Sequence, residues 1–412
     1  GDAIHFKLGA VNAYFLNHPD LIKHVLVENN KNYTKDTIQY NALSSITGRG
    51  LLTSDGALWL RQRRLEQPAF SRARLNSLDA VVVPATRRML QKWTEIARVK
   101  GEVDVDQEMM RLTLEVVGRA LFSIDLSSEA QHLTAATMVA LDHIVHRARN
   151  PLSLPDAFPT PENIRFRRAV KTLDTTISEM VASRRASGQM GDDMLGMLLN
   201  ARDEDDLPMT SQQIRDEIIT LLIAGHETVA SALTWTWYLL AQNPRIRGQL
   251  QDEISSVLGG REPTTGDLDR MPLGGQIFDE ALRLYPPAWL ITRRALHADQ
   301  VGRVAISPGS TIILSPYVIH RHPAFWRDPL TFDPSRFTPE NSQERPRYAY
   351  IPFGGGPRLC IGNTFAITEA RLIMAMIGQR FHLDSLPDRD VIVDALVTLR
   401  PRGGLPMRLS AV

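Results

Sequence analysis

The stretch Phe353-Gly-Gly-Gly-Pro-Arg-Leu-Cys-Ile-Gly362 contains the only cysteine of a 412-residue chain. The four glycines of this stretch carry no Cβ atom, which lets the backbone approach a large flat ligand closely. Arg358 precedes Cys360 by two residues and could reach an anionic group on such a ligand. A helical pattern begins directly after the cysteine, and the N-terminus of a helix favours a negatively charged thiolate. The stretch therefore predicts a ligand site rather than an ordinary loop.

A lone cysteine is more often a small, inert residue of the hydrophobic core, and this is the simplest alternative. The glycines, the arginine and the start of a helix argue against it, because none of them is needed to bury a thiol. A thiolate held near a helix N-terminus is a strong axial donor to haem iron. We therefore interpret Cys360 as a candidate iron ligand and haem as the candidate cofactor.

The composition is that of a globular protein, with 43% hydrophobic and 23% charged residues. The formal net charge of +1 gives no overall field that would attract nucleic acid or an acidic membrane. One cysteine cannot form an internal disulfide, which suits a reducing compartment. No apolar run is long enough to predict a stable membrane span. Because the chain opens at Gly1 inside a strand pattern, we expect its natural N-terminus to lie upstream, and an N-terminal anchor stays open.

The clearest element is a helix predicted between Thr210 and Gln242. Thr210 and Gln213 form a capping box at its start, and Asn243-Pro244 ends it. About 32 residues at 1.5 Å each span roughly 48 Å, enough to cross the whole molecule. Because this helix is apolar on most of its faces, we expect it to run through the core.

The rest of the chain is predicted to form further helices and small sheets. The first 30 residues have a strand pattern, and residues 77–199 have a mostly helical one. Val304–Leu314 is predicted to form a β-hairpin with its turn at Pro308-Gly309. A last helix should follow Gly362 and continue through Arg380. Since no repeat or flexible linker divides the chain, we expect residues 1–412 to form one domain, mainly α with small β-sheets (α+β).

Ala224-Gly-His-Glu-Thr-Val229 interrupts the apolar pattern in the middle of the long helix. A tolerated polar interruption is the simplest alternative, but a buried Glu-Thr pair is costly unless it has partners. We interpret Gly225 as the point where the helix approaches a flat cofactor, and Glu227 and Thr228 as an acid and an alcohol that relay protons. A zinc-protease site is excluded, because the second histidine of that motif would fall at Ala230.

The pattern F-x-x-G-x-R-x-C-x-G resembles the haem-binding loop of the cytochromes P450, and every fixed position of that pattern is filled here. The resemblance implies a cytochrome P450 fold with a long central helix crossing the haem, and it extends over nearly the whole chain. It implies that Cys360 is the proximal thiolate ligand of haem b and that Arg358 contacts a haem propionate. It also makes A-G-x-E-T the oxygen-activating segment. The residues that it assigns to cofactor binding in these two motifs are Gly225, Phe353, Arg358, Cys360 and Gly362.

Further cofactor contacts follow from the same resemblance. W-x-x-x-R places Trp59 and Arg63 on a haem propionate, although a basic helix face is the simpler alternative. Arg294, five residues before Asp299, matches a third propionate contact, which makes Arg293 a bystander.

Glu280 and Arg283 form an E-x-x-R motif, and at this spacing the two side chains share one helix face. An exposed ion pair is the simple alternative. In the cytochromes P450 the pair is buried and is joined by an arginine from a later segment, which is Arg336 here. We expect these three residues to be structural and to have no catalytic role.

The resemblance implies a monooxygenase that inserts one oxygen atom from O2 into a C–H bond. No flavin or iron–sulfur segment fits in this chain, so a separate ferredoxin or flavodoxin and its reductase should supply electrons. Arg61 and Arg64 are a candidate contact for an acidic donor. A peroxygenase, a haem-thiolate isomerase and a non-catalytic haem sensor are the alternatives, and the last two have no need for an acid–alcohol pair. A soluble enzyme of the bacterial cytoplasm fits best.

Three segments, 38–52, 284–294 and 397–406, resemble those of a carotenoid β-ring hydroxylase of this family from a thermophilic bacterium. The resemblance implies a long apolar substrate such as β-carotene, with a fatty acid as the main alternative. Conservation of the framework alone would also explain the likeness. The candidate substrate contacts are Gln39, Tyr40, Ala224, Ala288, Leu290 and Thr398.

Overall fold

Helices dominate the computed structural model, which describes residues 1–150, 153–188, 191–202, 206–387 and 389–412. In these residues the α-helices are α1 (Pro19–Lys23), α2 (Ile38–Thr47), α3 (Gly56–Glu66), α4 (Arg72–Leu75), α5 (Asp79–Arg98), α6 (Val105–Phe122), α7 (Ala130–Arg149), α8 (Pro161–Ser187), α9 (Met194–Asn200), α10 (Ser211–Gln242), α11 (Pro244–Leu258), α12 (Pro272–Leu284), α13 (Pro316–Ile319), α14 (Pro339–Ser342) and α15 (Asn363–Gly378).

Small sheets accompany the helices. The strands are β1 (Ala3–Leu8), β2 (Val11–Leu16), β3 (Tyr33–Thr34), β4 (Glu102–Asp104), β5 (Ile291–Ala295), β6 (Asp299–Val301), β7 (Val304–Ile306), β8 (Thr311–Leu314), β9 (Phe381–Ser385), β10 (Val393–Ala395), β11 (Leu399–Pro401) and β12 (Pro406–Ala411). A five-stranded sheet has the order β1-β2-β8-β5-β3, and a three-stranded sheet has the order β4-β12-β9. β6–β7 and β10–β11 are two-stranded. The predicted class, mainly α with small sheets, is confirmed.

The long central helix α10 begins and ends where the sequence predicts. The Thr210 hydroxyl accepts from the Gln213 N–H at 3.2 Å, and the Gln213 side chain accepts from the Thr210 N–H at 2.8 Å, which completes the capping box. Among the described residues, α10 is the one helix long and apolar enough to cross a membrane. However, 83% of its most apolar window is buried inside the molecule. It is therefore a core helix by its packing.

The predicted hairpin over Val304–Leu314 is wrong in its pairing. Strands form at both ends of the segment, with the turn at Ser307–Ser310 between them. β7 pairs with β6, whereas β8 pairs in parallel with β2 and antiparallel with β5. The reason is burial: Ile312 and Leu314 of β8 are fully buried in the sheet core. Pairing with two long-range strands stabilises them more than a local hairpin would.

The E-x-x-R motif is buried, as the resemblance implies. Arg283 donates from Nε and Nη2 to the two carboxylate oxygens of Glu280, at 2.6 and 2.7 Å, and both side chains are fully buried. Arg336 approaches the same carboxylate at 3.4 Å. Arg283 also donates to the carbonyl oxygens of His320 and Pro329, at 2.8 and 2.7 Å. These bonds hold the segment before the cysteine loop against α12.

Candidate active site

Cys360 lies on a tight loop directly before α15. Its backbone N–H donates to the carbonyl oxygen of Phe353 at 3.0 Å, which closes the loop. The thiol is accessible at its surface, yet it lies deep enough that burial raises its pKa, while the Gly362 amide and the Arg63 guanidinium oppose that shift. The loop therefore leaves one sulfur atom accessible within an otherwise buried neighbourhood.

Gly356 is the position of this loop where only glycine fits. Its φ is +66°, and an added Cβ would lie 1.9 Å from the carbonyl oxygen of Leu26. Gly309 has a φ of +78° but open space at its Cβ position, which makes it a matched control. We expect Gly309→Ala to cost about 1–2 kcal/mol from backbone strain alone. Gly356→Ala should cost distinctly more, because backbone atoms must move.

Urea unfolding of the two glycine variants measures this difference in the free energy of unfolding. Equal losses would contradict the close approach between the cysteine loop and residue 26.

Two residues of α3 contact the cysteine loop. Arg63 donates from Nη1 to the carbonyl oxygen of Leu359 at 3.0 Å. Trp59 stacks under Arg358, whose guanidinium carbon lies 4.1 Å from the ring centre. Arg358 also pairs with Asp55, in the turn before α3. The fold thus joins the W-x-x-x-R motif to the cysteine loop, although they lie far apart in the sequence.

Three cations lie close together beside Tyr40. The Lys35 ammonium donates to the carbonyl oxygen of Leu52 at 2.6 Å and lies 4.9 Å from the Tyr40 ring centre. Arg293 donates to the Tyr40 hydroxyl at 3.4 Å. Burial lowers the pKa of Lys35 well below its ordinary value, and the neighbouring Arg293 and Arg358 lower it further. Burial likewise lowers the pKa of Arg358, to about 10.

Asp55 is the carboxylate whose charge acts on both Lys35 and Arg358. One carboxylate cannot balance Arg293, Arg358 and a protonated Lys35 together, so positive charge stays uncompensated in this buried site. Buried charges are costly unless they are paired. The cluster therefore fits a ligand that carries two anionic groups.

The structure places Arg293, and not Arg294, in the cation cluster. Arg293 is 7% exposed and lies in the cation cluster, whereas Arg294 is exposed and pairs with Asp36. The cause is the alternation of side chains along β5, which turns adjacent residues to opposite faces. Tyr40 is buried beside the same cations, and its predicted contact with substrate stays a prediction.

Ala224, Gly225 and Thr228 are partly exposed in the otherwise buried middle of α10, and Ala224 and Thr228 lie one turn apart. The Thr228 hydroxyl donates to the Ala224 carbonyl oxygen at 2.7 Å. Gly225 points elsewhere, since its Cβ would lie 2.9 Å from Cγ2 of Val117 on α6. The missing side chain lets α6 and α10 approach each other, and the predicted role of Gly225 at the cofactor stays a prediction.

Glu227 is 2% exposed and accepts a hydrogen bond from the Thr398 hydroxyl at 2.8 Å. Burial raises its pKa to about 7, although Arg400 and the Thr398 hydrogen bond favour the carboxylate. The Glu227 carboxyl and the Thr228 hydroxyl are bonded to different partners. The hydroxyl of Thr398, a residue predicted to contact substrate, therefore donates its hydrogen bond to the Glu227 carboxyl group.

The other predicted substrate contacts are brought together by long-range hydrogen bonds. Gln39 donates to the Leu290 carbonyl oxygen at 3.2 Å and accepts from the Thr292 hydroxyl at 2.9 Å. Leu290 is partly exposed and Ala288 is exposed. Next to them, the Trp289 Nε1–H donates to the carbonyl oxygen of Leu396 at 2.9 Å. The first two resembling segments thus meet through Gln39 and Leu290, and the second meets the third through the bond from the Leu399 N–H to the Pro287 carbonyl oxygen at 3.2 Å.

A family model described as Cytochrome P450 matches residues 1–402. Cyclooctatin synthase from Streptomyces melanosporofaciens is 39% identical over 393 residues, which cover 94% of this chain and 84% of that protein. Pentalenene oxygenase from Streptomyces avermitilis is 34% identical over 412 residues, which cover 100% of this chain and 90% of that protein. The solved cytochrome P450DA heme domain has a TM-score of 0.89 and 28% identity, covering 100% of this chain and 90% of its own.

The fold and the cysteine loop define a haem-thiolate enzyme. The chain belongs to the cytochrome P450 family. It is a monooxygenase whose cofactor is haem with thiolate ligation. The residues fit this cofactor: the chain has one cysteine to supply a thiolate, and the uncompensated charge beside Tyr40 matches the two propionates of haem b. Members of this family need O2, a substrate and redox partners.

Lys35 and Arg400 could not be recognised as site residues from the sequence, and Arg293 was expected to be a bystander. Lys35 stands in no recognisable motif, and its distance in sequence from the cysteine loop hides their proximity. Arg400 pairs with Asp106 of α6 in a buried ion pair. The sequence shows only that these residues are charged. Their burial, which marks them as site residues, is visible only in the structure.

Proposed function

We propose that this enzyme inserts one oxygen atom from O2 into a C–H bond of a large apolar substrate. One observation carries the proposal: the accessible Cys360 sulfur lies near a cluster of buried cations, on a fold whose central helix leaves Thr228 partly exposed. Bound haem would supply the oxygen chemistry through its iron. The protein supplies the thiolate, the charge for the propionates and a path for protons.

The haem contacts are assigned from charge and burial. Cys360 is the thiolate ligand, and Lys35, Arg293 and Arg358 hold the propionates, with Trp59 stacked on Arg358. Arg63 supports the cysteine loop through the Leu359 carbonyl oxygen and favours the thiolate by its charge. Phe353 and Gly362 contribute through the backbone of the same loop.

Glu227 and Thr228 are the proposed proton donors. An acid with a pKa near the working pH can both give and regain a proton, and burial places the pKa of Glu227 at about 7. Thr228 is partly exposed beside Ala224, where its hydroxyl could hold water or donate a hydrogen bond. An isomerase or a haem sensor would have no use for this pair.

Incorporation of labelled oxygen tests the reaction class. Turnover under ¹⁸O2 with a chemical reductant or a surrogate ferredoxin system should place one labelled atom in the product. Rearrangement of a hydroperoxide without O2 would contradict a monooxygenase. Equal turnover with hydrogen peroxide and no electron donor would favour the peroxygenase alternative.

The proposed substrate is a large apolar molecule, with β-carotene as the first candidate. Support comes from the hydrogen bonds that join the three segments resembling a carotenoid hydroxylase, between Gln39 and Leu290 and between Leu399 and Pro287. The relative named pentalenene oxygenase also motivates pentalenene as a probe. Titration of the haem absorption band with β-carotene, pentalenene and a long fatty acid separates these classes. A shift with the fatty acid alone would overturn the apolar proposal in favour of the fatty-acid hydroxylase alternative.

The electron donor is proposed to be a separate ferredoxin or flavodoxin with its reductase. Arg64 is exposed and Arg61 partly exposed on α3, the helix that contacts the cysteine loop, so an acidic donor docked there would be near the haem. Charge reversal at both positions should slow reduction by the donor, and an unchanged rate would exclude this surface.

We further propose that residues 1–412 act as one catalytic domain in the bacterial cytoplasm.

A further inference from the structure

We propose that Thr398 is a positioning residue that couples the substrate-binding hairpin to the acid Glu227. Through this hydroxyl, a substrate seated against the β10–β11 hairpin would change how readily Glu227 gives up its proton. The inference rests on the proposed function, in which Glu227 donates protons.

The direct link is a single buried hydrogen bond. The Thr398 hydroxyl donates to Oε1 of Glu227 at 2.8 Å, across 171 positions of sequence. Both side chains are at most 3% exposed, so bulk water does not compete for the bond. Thr398 lies in the turn of the hairpin, and its carbonyl oxygen accepts from the Leu396 N–H at 3.1 Å, which fixes the turn. The hydroxyl is therefore held at one distance from the acid.

The hairpin is fastened to α10 one residue beyond Thr398. The Leu399 carbonyl oxygen accepts from the Ser231 hydroxyl at 2.6 Å and from the Trp235 Nε1–H at 3.0 Å. Ser231 and Trp235 follow Glu227 by one and two helical turns and so share its helix face. Glu227, Ser231 and Trp235 thus contact the hairpin from one face of α10.

The opposite side of the hairpin is fastened to the segment that carries the candidate substrate contacts. The Leu399 N–H donates to the Pro287 carbonyl oxygen at 3.2 Å, and Trp289 donates to that of Leu396 at 2.9 Å. Ala288 lies between these two bonds. A substrate that pushes on this segment therefore pushes on the turn that holds Thr398.

Charged groups of opposite effect surround Glu227, and the hydrogen bond from Thr398 acts together with them. Arg400 of β11 favours the carboxylate, whereas burial, Asp106 of α6 and Asp142 of α7 favour the neutral acid. Arg400 is itself paired with Asp106. The hydrogen bond from Thr398 stabilises the carboxylate and lowers the pKa of Glu227. Its loss should raise that pKa, and its restoration should bring the pKa back.

Infrared titration of the haem-loaded protein tests the coupling, with the carboxyl band of Glu227 assigned by its loss in Glu227→Gln. Thr398→Val should move the midpoint of this band up by about one pH unit, since a charge-assisted hydrogen bond is lost. Thr398→Ser should restore the wild-type midpoint. Thr236→Val is the matched control, because the buried Thr236 hydroxyl bonds only to the Ala232 carbonyl oxygen within its own helix.

A second measurement adds the substrate. A saturating apolar ligand, identified by its shift of the haem band, should move the Glu227 midpoint in the wild type and leave it unmoved in Thr398→Val. Thr398→Ala replaces the valine variant if the latter does not fold. Identical midpoints in wild type, Val and Ser variants would overturn the positioning role, even with normal ¹⁸O incorporation. Conversely, the expected midpoints without any ¹⁸O incorporation would overturn the proposed reaction and leave the hydrogen-bond link standing.

Discussion

Arg283→Met should lower the free energy of unfolding by about 3–5 kcal/mol, because the fully buried Glu280 carboxylate loses both of its short hydrogen bonds from Arg283 and keeps only the more distant Arg336 as a cation. The variant also frees the carbonyl oxygens of His320 and Pro329, which accept from the same guanidinium. Methionine nearly preserves the volume, so the loss reports the missing bonds more than a cavity. Urea unfolding of the haem-loaded protein measures it.

Arg98→Met is the matched control for this prediction. Arg98 pairs with Glu95 at the same i,i+3 spacing, at 2.7 Å, but both side chains are about two-thirds exposed. Exposed pairs contribute less than about 1 kcal/mol. Similar small losses in both variants would mean that the E-x-x-R pair does not stabilise the fold through burial.

Glu227→Gln should slow product formation by about 10²–10⁴-fold, the usual contribution of a positioned proton donor. Glutamine keeps the shape of the side chain and an oxygen that can accept from Thr398, but it has no acidic proton. A larger share of the supplied electrons should then reduce O2 to hydrogen peroxide, and a smaller share should be used to form product. Product per electron, compared with Glu253→Gln at a glutamate of α11 remote from the site, measures the effect.

The role of Glu227 also predicts the direction in which product formation changes with pH. Burial raises the pKa of Glu227 to about 7, so the acid is protonated below that pH and loses its proton above it. If the protonated form is the donor, product formation in the wild type should fall as the pH rises through about 7. That limb should be absent from the residual activity of Glu227→Gln. A wild-type profile with no limb near pH 7, or one that the variant retains, would contradict the role of Glu227.

Local signals in the sequence were sufficient for the elements that the chain specifies locally. The capping box at Thr210 and the proline at 244 set the ends of α10, and the glycines around Cys360 predict a special loop without knowledge of the fold. E-x-x-R was placed correctly because its third member, Arg336, stands in a recognisable segment.

Features that depend on tertiary contacts could not be predicted in the same way. Which of Arg293 and Arg294 faces inward depends on the face of β5, and this is set by its pairing with β3 and β8. The partner of β7 is likewise decided by burial elsewhere in the sheet. The bond between Thr398 and Glu227 joins residues far apart in sequence, and only the fold brings them together.

An absorption spectrum of the dithionite-reduced protein under carbon monoxide, recorded for the wild type and for Cys360→Ser, tests the central assignment most directly. Thiolate-ligated haem should give a strongly red-shifted Soret band in the wild type, and the variant should lose this band because serine cannot supply the thiolate donor. Retention of that band in Cys360→Ser, or a wild-type band typical of histidine-ligated haem, would contradict Cys360 as the iron ligand.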